Sequence, residues 1–192
     1  SKIQIDLRSR NITNDIPQVS PFEELVFSES REVIPTGQTK IDAVIDGIGY
    51  QEFGLIVGFS GAGKTALMTD FAFGAVNAGK KVLILSLEEP AASLSNRVYA
   101  HEFNLNYTDL HRNHFGIKDE LKIAFQSLEP ARREMLKNLK VDDLRDLAPC
   151  RVADLQNYLE GRFKTSGYHP DVIFIDQLDY IDAEGDQKWQ KY

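Results

Sequence analysis

Short apolar runs alternate with stretches of helical periodicity through most of the chain. Runs without polar alternation predict parallel strands covered on both faces, at residues 53–58, 81–87 and 171–176, with a brief strand at 139–141. Apolar positions at helical spacing predict helices at residues 39–45, 64–78 and 91–101, around 121–128, from Pro130, and from about 152 to 166. Residues 103–116 show no clear element. Strands alternating with helices imply right-handed βαβ crossovers, so we predict an α/β fold with a mainly parallel β-sheet flanked by helices.

The first 34 residues lack this pattern, and we interpret residues 1–34 as an N-terminal arm or linker. Pro21–Phe27 suits a short helix, because Ser20 can cap it and proline is favoured at the first helical position. In an oligomer its apolar side chains would dock on a neighbour. A disordered tail remains an equal alternative for residues 1–18. Residues 35–192 are then one domain.

A phosphate-binding loop is predicted at Gly58–Thr65, which reads G-x-x-x-x-G-K-T between a strand and a helix. Its glycines let backbone N–H groups approach phosphate oxygens, and the helix N-terminus favours an anion. Lys64 can reach the β- and γ-phosphates, and the Thr65 hydroxyl can hold Mg²⁺. The alternative is a glycine-rich turn without a ligand. The residues expected to contact the nucleotide are Ser60, Gly61, Ala62, Gly63, Lys64, Thr65 and Ala66.

Acidic residues follow two of the predicted strands. Asp176 ends an apolar run downstream of the loop, which is the position of a second magnesium-site acid; a strand-end cap is the alternative. Glu88 and Glu89 follow the strand at 81–87, and a carboxylate there can polarise the water that attacks the γ-phosphate. Their alternative role is as acids at a helix start, where the helix dipole favours them.

Composition and the remaining residues argue against several other kinds of protein and site. The net charge of −7 over 192 residues gives no global attraction to nucleic acid, so any DNA contact is local. One cysteine, Cys150, excludes an internal disulfide framework, and we expect it to pack rather than react. No apolar run approaches a membrane span, so we expect a cytoplasmic protein that does not contact membrane. His111 and His114 have metal-like spacing, but a solvated loop fits them better.

These residues together resemble a known family. Pro35–Gly37 followed by Asp42 resembles the opening motif of RecA-like ATPases, and Leu85–Glu88 is similar to the "S-L-E" motif of DnaB-type replicative helicases. The run Ile173–Leu178 also resembles the DnaB-type strand that ends in an acid. Two positions depart from the family, because its Tyr after the acid is Gln177 here and its Gln is Asp179.

The resemblance implies a RecA-like P-loop NTPase that binds ATP and Mg²⁺ and acts as the motor of a ring-forming helicase. Glu88 would be the catalytic base, Lys64 would act on the phosphates, and Thr65 and Asp176 would hold the metal. The implied partners are single-stranded DNA, further copies of the chain in a hexameric ring, and a primase or helicase loader. The tandem Glu88–Glu89 also resembles KaiC- and RadA-like ATPases, which leaves an ATPase without unwinding activity as an alternative. A nucleotide-binding regulatory module with little turnover is the alternative from another class.

The family's DNA-contacting loops, its γ-phosphate sensor and its trans-acting arginine finger would all follow Tyr192. We therefore expect a motor domain that is incomplete at its C-terminus, with an exposed apolar sheet edge. Such a chain should bind nucleotide but hydrolyse it poorly, because a neighbour's arginine typically contributes about 10³–10⁵ in rate. Arg162 is closest by motif, but we expect it to pair locally.

Overall fold

In the computed structural model, residues 32–113 and 116–182 are described, and nearly all of them belong to the unit Val33–Tyr192. The helix predicted at 21–27, most of the predicted arm, and His114 lie outside the described residues. The strands are β1 Val33–Ile34, β2 Ile48–Gly49, β3 Val82–Ser86, β4 Leu139–Asp143, β5 Cys150–Arg151, β6 Val172–Asp176 and β7 Ile181–Asp182. The α-helices are α1 Thr39–Ile45, α2 Lys64–Asn77, α3 Ala91–Glu102, α4 Tyr107–His111, α5 Ile117–Ser127, α6 Pro130–Leu136 and α7 Val152–Ser166. Single 3₁₀ turns cover Arg145–Leu147 and Leu178–Tyr180.

The central sheet of the described residues is parallel, with strand order β4-β3-β6. Every residue of β3 is buried, which explains why this strand reads as an uninterrupted apolar run. The register pairs Ser86 with Asp143 on one side and with Asp176 on the other. The carboxyl ends of all three strands therefore meet at one edge, and this confirms the predicted α/β class with a mainly parallel sheet.

The two faces of the sheet carry separate hydrophobic clusters. Val82 and Ile84 pack toward α2, α3 and α6, whereas Leu83 and Leu85 pack toward α7. Because successive side chains of a strand point to opposite faces, one short strand supplies both clusters. Cys150 lies buried in the second cluster, and burial raises the pKa of its thiol, which disfavours the reactive thiolate.

One predicted strand is wrong. Residues 53–58 form no strand in the described structure, and large apolar side chains in and next to this range are exposed: Leu55 at 60%, Val57 at 82% and Phe59 at 91%. A strand needs a partner ladder for its backbone groups. Among the described residues, β6 pairs only with β3, and its other side borders a groove of about 460 Å³ shared with residues 53–56. Four of the five residues of β6 are half-buried, and the exposed sheet edge that we expected stays a prediction.

Two other elements differ from expectation. The segment 103–116, which showed no clear element, contains α4, whose first turn is capped by the Asn106 side chain accepting from the N–H groups of Thr108 and Asp109. In α2, Leu67 and Phe71 contribute to the helical spacing that predicts the helix, and we would expect them to face the core, yet both are only half-buried. The buried residues of α2 instead fall on a broad face that includes Ala72 and Val76.

The segment before α1 is fastened to the phosphate-loop helix. Asp42 accepts hydrogen bonds from the Thr36 N–H and hydroxyl at 2.9 and 2.7 Å and from the Gly37 N–H at 3.1 Å. This turn crosses α2 at Gly74, where a Cβ would lie only 2.2 Å from the Thr36 carbonyl oxygen. The P-T-G motif and its aspartate therefore position α2 by close backbone packing.

Arg162 pairs locally, as predicted. Its guanidinium contacts both carboxylate oxygens of Asp142 on β4 and lies 5.4 Å from the Tyr168 ring centroid. The Tyr158 hydroxyl donates to the same carboxylate at 2.9 Å, and burial, followed by this hydrogen bond, raises the pKa of Tyr158 to about 12. These contacts fix α7 against the sheet.

Candidate nucleotide-binding site

The predicted phosphate loop is an exposed turn that leads directly into α2. Gly61 and Gly63 have φ values of 76° and 90°, a left-handed conformation that residues with a Cβ rarely adopt. No side chain caps α2 at Gly63, so the first-turn N–H groups keep their hydrogen-bonding capacity for an outside acceptor. The predicted contact residues Ser60 to Ala66 thus form one continuous N–H-rich surface at a helix N-terminus, which suits an anion.

Lys64 lies against this loop. Its Nζ donates to the carbonyl oxygens of Gly58 at 3.0 Å and of Phe59 at 3.2 Å. Both bonds are to neutral carbonyls and lie at the surface, so a phosphate oxygen would be a stronger partner for the ammonium group. The lysine is therefore held where the motif requires a cation.

Thr65 and Asp176 are 111 residues apart in sequence and in contact in space. The Thr65 hydroxyl lies 3.2 and 3.4 Å from the two carboxylate oxygens of Asp176. Two features create this contact: Thr65 is the second residue of α2, and Asp176 is the last residue of β6. The structure thereby brings together the two predicted magnesium ligands.

The environment of Asp176 suits a cation. The residue is 8% exposed, and burial is the main reason why its pKa is raised; the Thr65 hydrogen bond acts in the opposite direction. A hydroxyl and one carboxylate are the oxygen ligands that Mg²⁺ takes from a protein when phosphates and water complete its shell. Among the described residues no group of three or more His, Cys, Asp or Glu forms a metal cage, so this sparse pair is consistent with a metal carried on a nucleotide.

Glu88 and Glu89 have different surroundings, although they are adjacent in sequence. Glu88 is exposed and makes no hydrogen bond or ion pair with any residue in the described ranges. Glu89 has a side chain only 19% exposed, accepts a hydrogen bond from Ser93 at 2.6 Å and pairs with Arg97 at 3.2 Å. The turn that carries both is tied to the metal side of the site, because the Leu87 N–H donates to the Asp176 carbonyl at 2.6 Å.

Sequence reasoning missed Ser93 and Arg97. A signal was present, because Glu89, Ser93 and Arg97 are spaced four residues apart at the start of a predicted helix and so share one face. Arg97 also lies 4.7 Å from the ring centroid of Tyr107, which came from the segment without a predicted element. The contact between Tyr107 and Arg97 could not be predicted from the spacing of residues in the sequence.

Other candidates lie away from the site or bond locally. Gln177 and Asp179, the two positions that depart from the DnaB-type motif, bond to each other at 2.7 Å. His111 stacks on Tyr107 and lies 3.4 Å from its hydroxyl. None of the described helices is both long and apolar enough to span a bilayer.

Comparisons with known proteins agree on one family. The model of the DnaB-like helicase C terminal domain matches residues 33–191. The replicative DNA helicase DnaB of Geobacillus stearothermophilus is 27% identical over 184 residues, which cover 93% of this chain and 38% of that protein. A solved DnaB-like replicative helicase, studied together with its interactions with primase, matches with a TM-score of 0.63 at 20% identity, over 92% of this chain and 42% of that one. The fold is therefore RecA-like, and the chain spans about two fifths of the length of these relatives.

Proposed function

The chain belongs to the DnaB-like helicase C-terminal domain family, and we propose that it is the ATP-hydrolysing motor domain of a ring-forming DNA helicase. The observation that supports this proposal is the contact between Thr65 and Asp176 beside Lys64, at the carboxyl edge of a parallel sheet. In the proposal, this edge of the sheet combines N–H groups that donate hydrogen bonds to phosphate, two ligands for Mg²⁺ and the exposed carboxylate of Glu88.

Each residue has a distinct role in the proposal. Backbone N–H groups of residues 60–66 cradle the phosphates, and Lys64 neutralises charge on them. Thr65 and Asp176 would hold Mg²⁺, which supplies charge neutralisation at the phosphates when bound. Glu88 orients water and accepts its proton, because its carboxylate has no other partner among the described residues.

The partners of the motor are also proposed. Hydrolysis would be coupled to movement along single-stranded DNA that threads a hexameric ring, with ATP at subunit interfaces. The net charge of −7 means that DNA contacts must come from local loops rather than from the whole surface. A primase or a helicase loader is a further partner, in keeping with the primase interactions of the solved relative, and the work would take place in the cytoplasm.

Lys64→Ala tests the phosphate site. We expect ATP affinity at fixed Mg²⁺, measured by calorimetry, to fall at least tenfold, because a charge-assisted contact to phosphate is lost. The thermal midpoint should stay unchanged, since this side chain bonds only to exposed loop carbonyls. Lys122→Ala, which removes an exposed lysine from α5, is the matched control. Unchanged ATP affinity in Lys64→Ala would show that the phosphate-loop assignment is wrong.

Glu88→Gln tests the catalytic base. We expect ATP to bind normally while hydrolysis, measured with the chain in excess over ATP, slows by about 10²–10⁴-fold. Glu134→Gln neutralises an exposed surface glutamate and is the matched control. Normal hydrolysis by Glu88→Gln would remove Glu88 from the mechanism.

The kind of motor is decided by two further measurements. Unwinding of a forked DNA substrate by assembled rings is the expected result. Hydrolysis without unwinding would instead fit a KaiC- or RadA-like ATPase, and nucleotide binding without single-turnover hydrolysis would fit a regulatory module.

A separate measurement tests the need for a neighbour's arginine. It compares the steady-state ATP hydrolysis rate per subunit of this chain with that of a longer polypeptide that contains it, and equal rates would contradict that need.

A further inference from the structure

We propose that Glu89 is a positioning residue that holds the turn carrying Glu88, and that Ser93, Arg97 and Tyr107 fix Glu89 in turn. This inference rests on the proposed function, because it assigns Glu89 a role only if Glu88 activates water. The two adjacent glutamates would then have different roles: Glu89 bonds to the surrounding helices, and the exposed Glu88 activates water.

The contacts of Glu89 hold it from several directions. Its backbone carbonyl accepts from the Ser86 hydroxyl at 2.5 Å, which closes the turn after β3. Its side chain accepts from Ser93, one turn into α3, at 2.6 Å. The Ser86 bond closes the turn that carries Glu88, and the Ser93 bond ties the end of that turn to α3.

Arg97 extends this attachment to α4. Its Nε lies 3.2 Å from one Glu89 carboxylate oxygen, its Nη2 donates to the other at 3.5 Å, and its guanidinium carbon lies 4.7 Å from the Tyr107 ring centroid. The Tyr107 hydroxyl lies 3.2 Å from the Ser93 hydroxyl. The four side chains therefore form one connected cluster, and a planar guanidinium between a carboxylate and an aromatic ring loses little freedom on being held there.

Both carboxylate oxygens of Glu89 already have partners. Oε2 accepts from the Ser93 hydroxyl at 2.6 Å and from Nη2 of Arg97 at 3.5 Å, and Oε1 lies 3.2 Å from Nε of Arg97. The carboxylate is thus oriented toward α3, whereas the Glu88 carboxylate is exposed.

The test is Glu89→Gln, made both alone and in the Glu88→Gln background. Alone, we expect single-turnover hydrolysis to slow about 10–100-fold with ATP affinity unchanged within about twofold, because small misplacement of a catalytic group has effects of this size. In the Glu88→Gln background we expect no further slowing of the residual rate, because Glu89 acts through a carboxylate that is already absent. Glu134→Gln, which breaks an exposed glutamate–lysine pair, should change neither quantity.

Three results are informative. Wild-type hydrolysis by Glu89→Gln would overturn the inference while leaving the phosphate site and Glu88 intact. An equal slowing in both backgrounds would also overturn it, because Glu89 would then act independently of Glu88. Normal hydrolysis by Glu88→Gln would instead refute the proposed base. If Glu89→Gln lowers the thermal midpoint, Ser93→Ala replaces it, since that change removes one hydroxyl and no charge and should give the same pattern.

Discussion

The segment leading into the phosphate loop and the helix after it both contain many apolar residues, but they differ in how deeply those side chains are buried. In residues 53–59, four of the five large apolar side chains are exposed, and only Ile56 packs partly against the core. The backbone of this segment forms no ladder with a neighbouring strand. In α2, by contrast, Ala72 and Val76 are fully buried against the sheet. A helix forms its backbone hydrogen bonds within itself and needs only a surface to pack on. A strand instead needs a neighbouring strand to bond its N–H and C=O groups.

This difference explains how the site can be assembled beside an exposed segment. Lys64 and Thr65 belong to the first turn of α2, so the packed helix places their backbone, although the Lys64 ammonium also bonds to the carbonyls of Gly58 and Phe59. The groove between residues 53–56 and β6 borders the site at Lys64 and Asp176. Stability should therefore respond strongly to changes in α2 and weakly to changes in residues 53–59.

The largest expected effect is at Gly74. A Cβ there would lie 2.2 Å from the Thr36 carbonyl oxygen and 2.4 Å from the Gly37 nitrogen, both backbone atoms that cannot turn aside. We expect Gly74→Ala to lower the free energy of unfolding by about 3 kcal/mol in urea titrations, despite the better helix propensity of alanine.

Gly161→Ala is the control for that change. Gly161 is also inside a helix, α7, but a Cβ there meets no atom within 4 Å. We expect this variant to gain about 0.5–1 kcal/mol from helix propensity alone. Equal effects at the two glycines would contradict the close crossing at Gly74.

A matched pair of valines compares the two regions directly. Val76→Ala should cost about 2 kcal/mol in the free energy of unfolding, from lost burial and the cavity left behind. Val57→Ala should stay within about 0.5 kcal/mol, because that side chain is 82% exposed. A cost at Val57 close to that at Val76 would show that residues 53–59 are packed in solution.

Local patterns predicted most of the described fold. The helices at 39–45, 64–78, 91–101 and 152–166 and the strands β3 and β6 were all expected, because each is specified by its own periodicity or by a continuous apolar run. The strand at 53–58 failed for the opposite reason. Its apolar run was read correctly, but pairing is a property of the neighbour, and among the described residues no strand lies beside it.

The candidate site divides in the same way. The spacing of the glycines and the lysine predicted the phosphate loop, and the position of Asp176 at the end of an apolar run predicted a metal ligand. Both predictions depend only on local sequence. Their proximity was implied when Thr65 and Asp176 were both predicted to hold one magnesium ion. The different surroundings of Glu88 and Glu89 did not follow, since they depend on Ser93, Arg97 and a tyrosine from a segment with no sequence signature.

The smallest effect is expected at Asp176, where β6 meets both regions. Burial raises the pKa of this carboxyl above its unfolded value, so ionisation opposes folding at neutral pH. We expect Asp176→Asn to raise the thermal midpoint slightly in the absence of nucleotide, because the amide carries no charge. The gain should shrink as the pH falls through the folded pKa, since wild-type Asp176 then takes up a proton and becomes neutral as well. With Mg²⁺ and ATP present the order should reverse, because only the carboxylate can hold the metal and gain stability from binding. Thermal melts of both proteins at several pH values, with and without Mg²⁺–ATP, measure these differences, and a variant that is stabilised by Mg²⁺–ATP as strongly as wild type would remove Asp176 from the metal site.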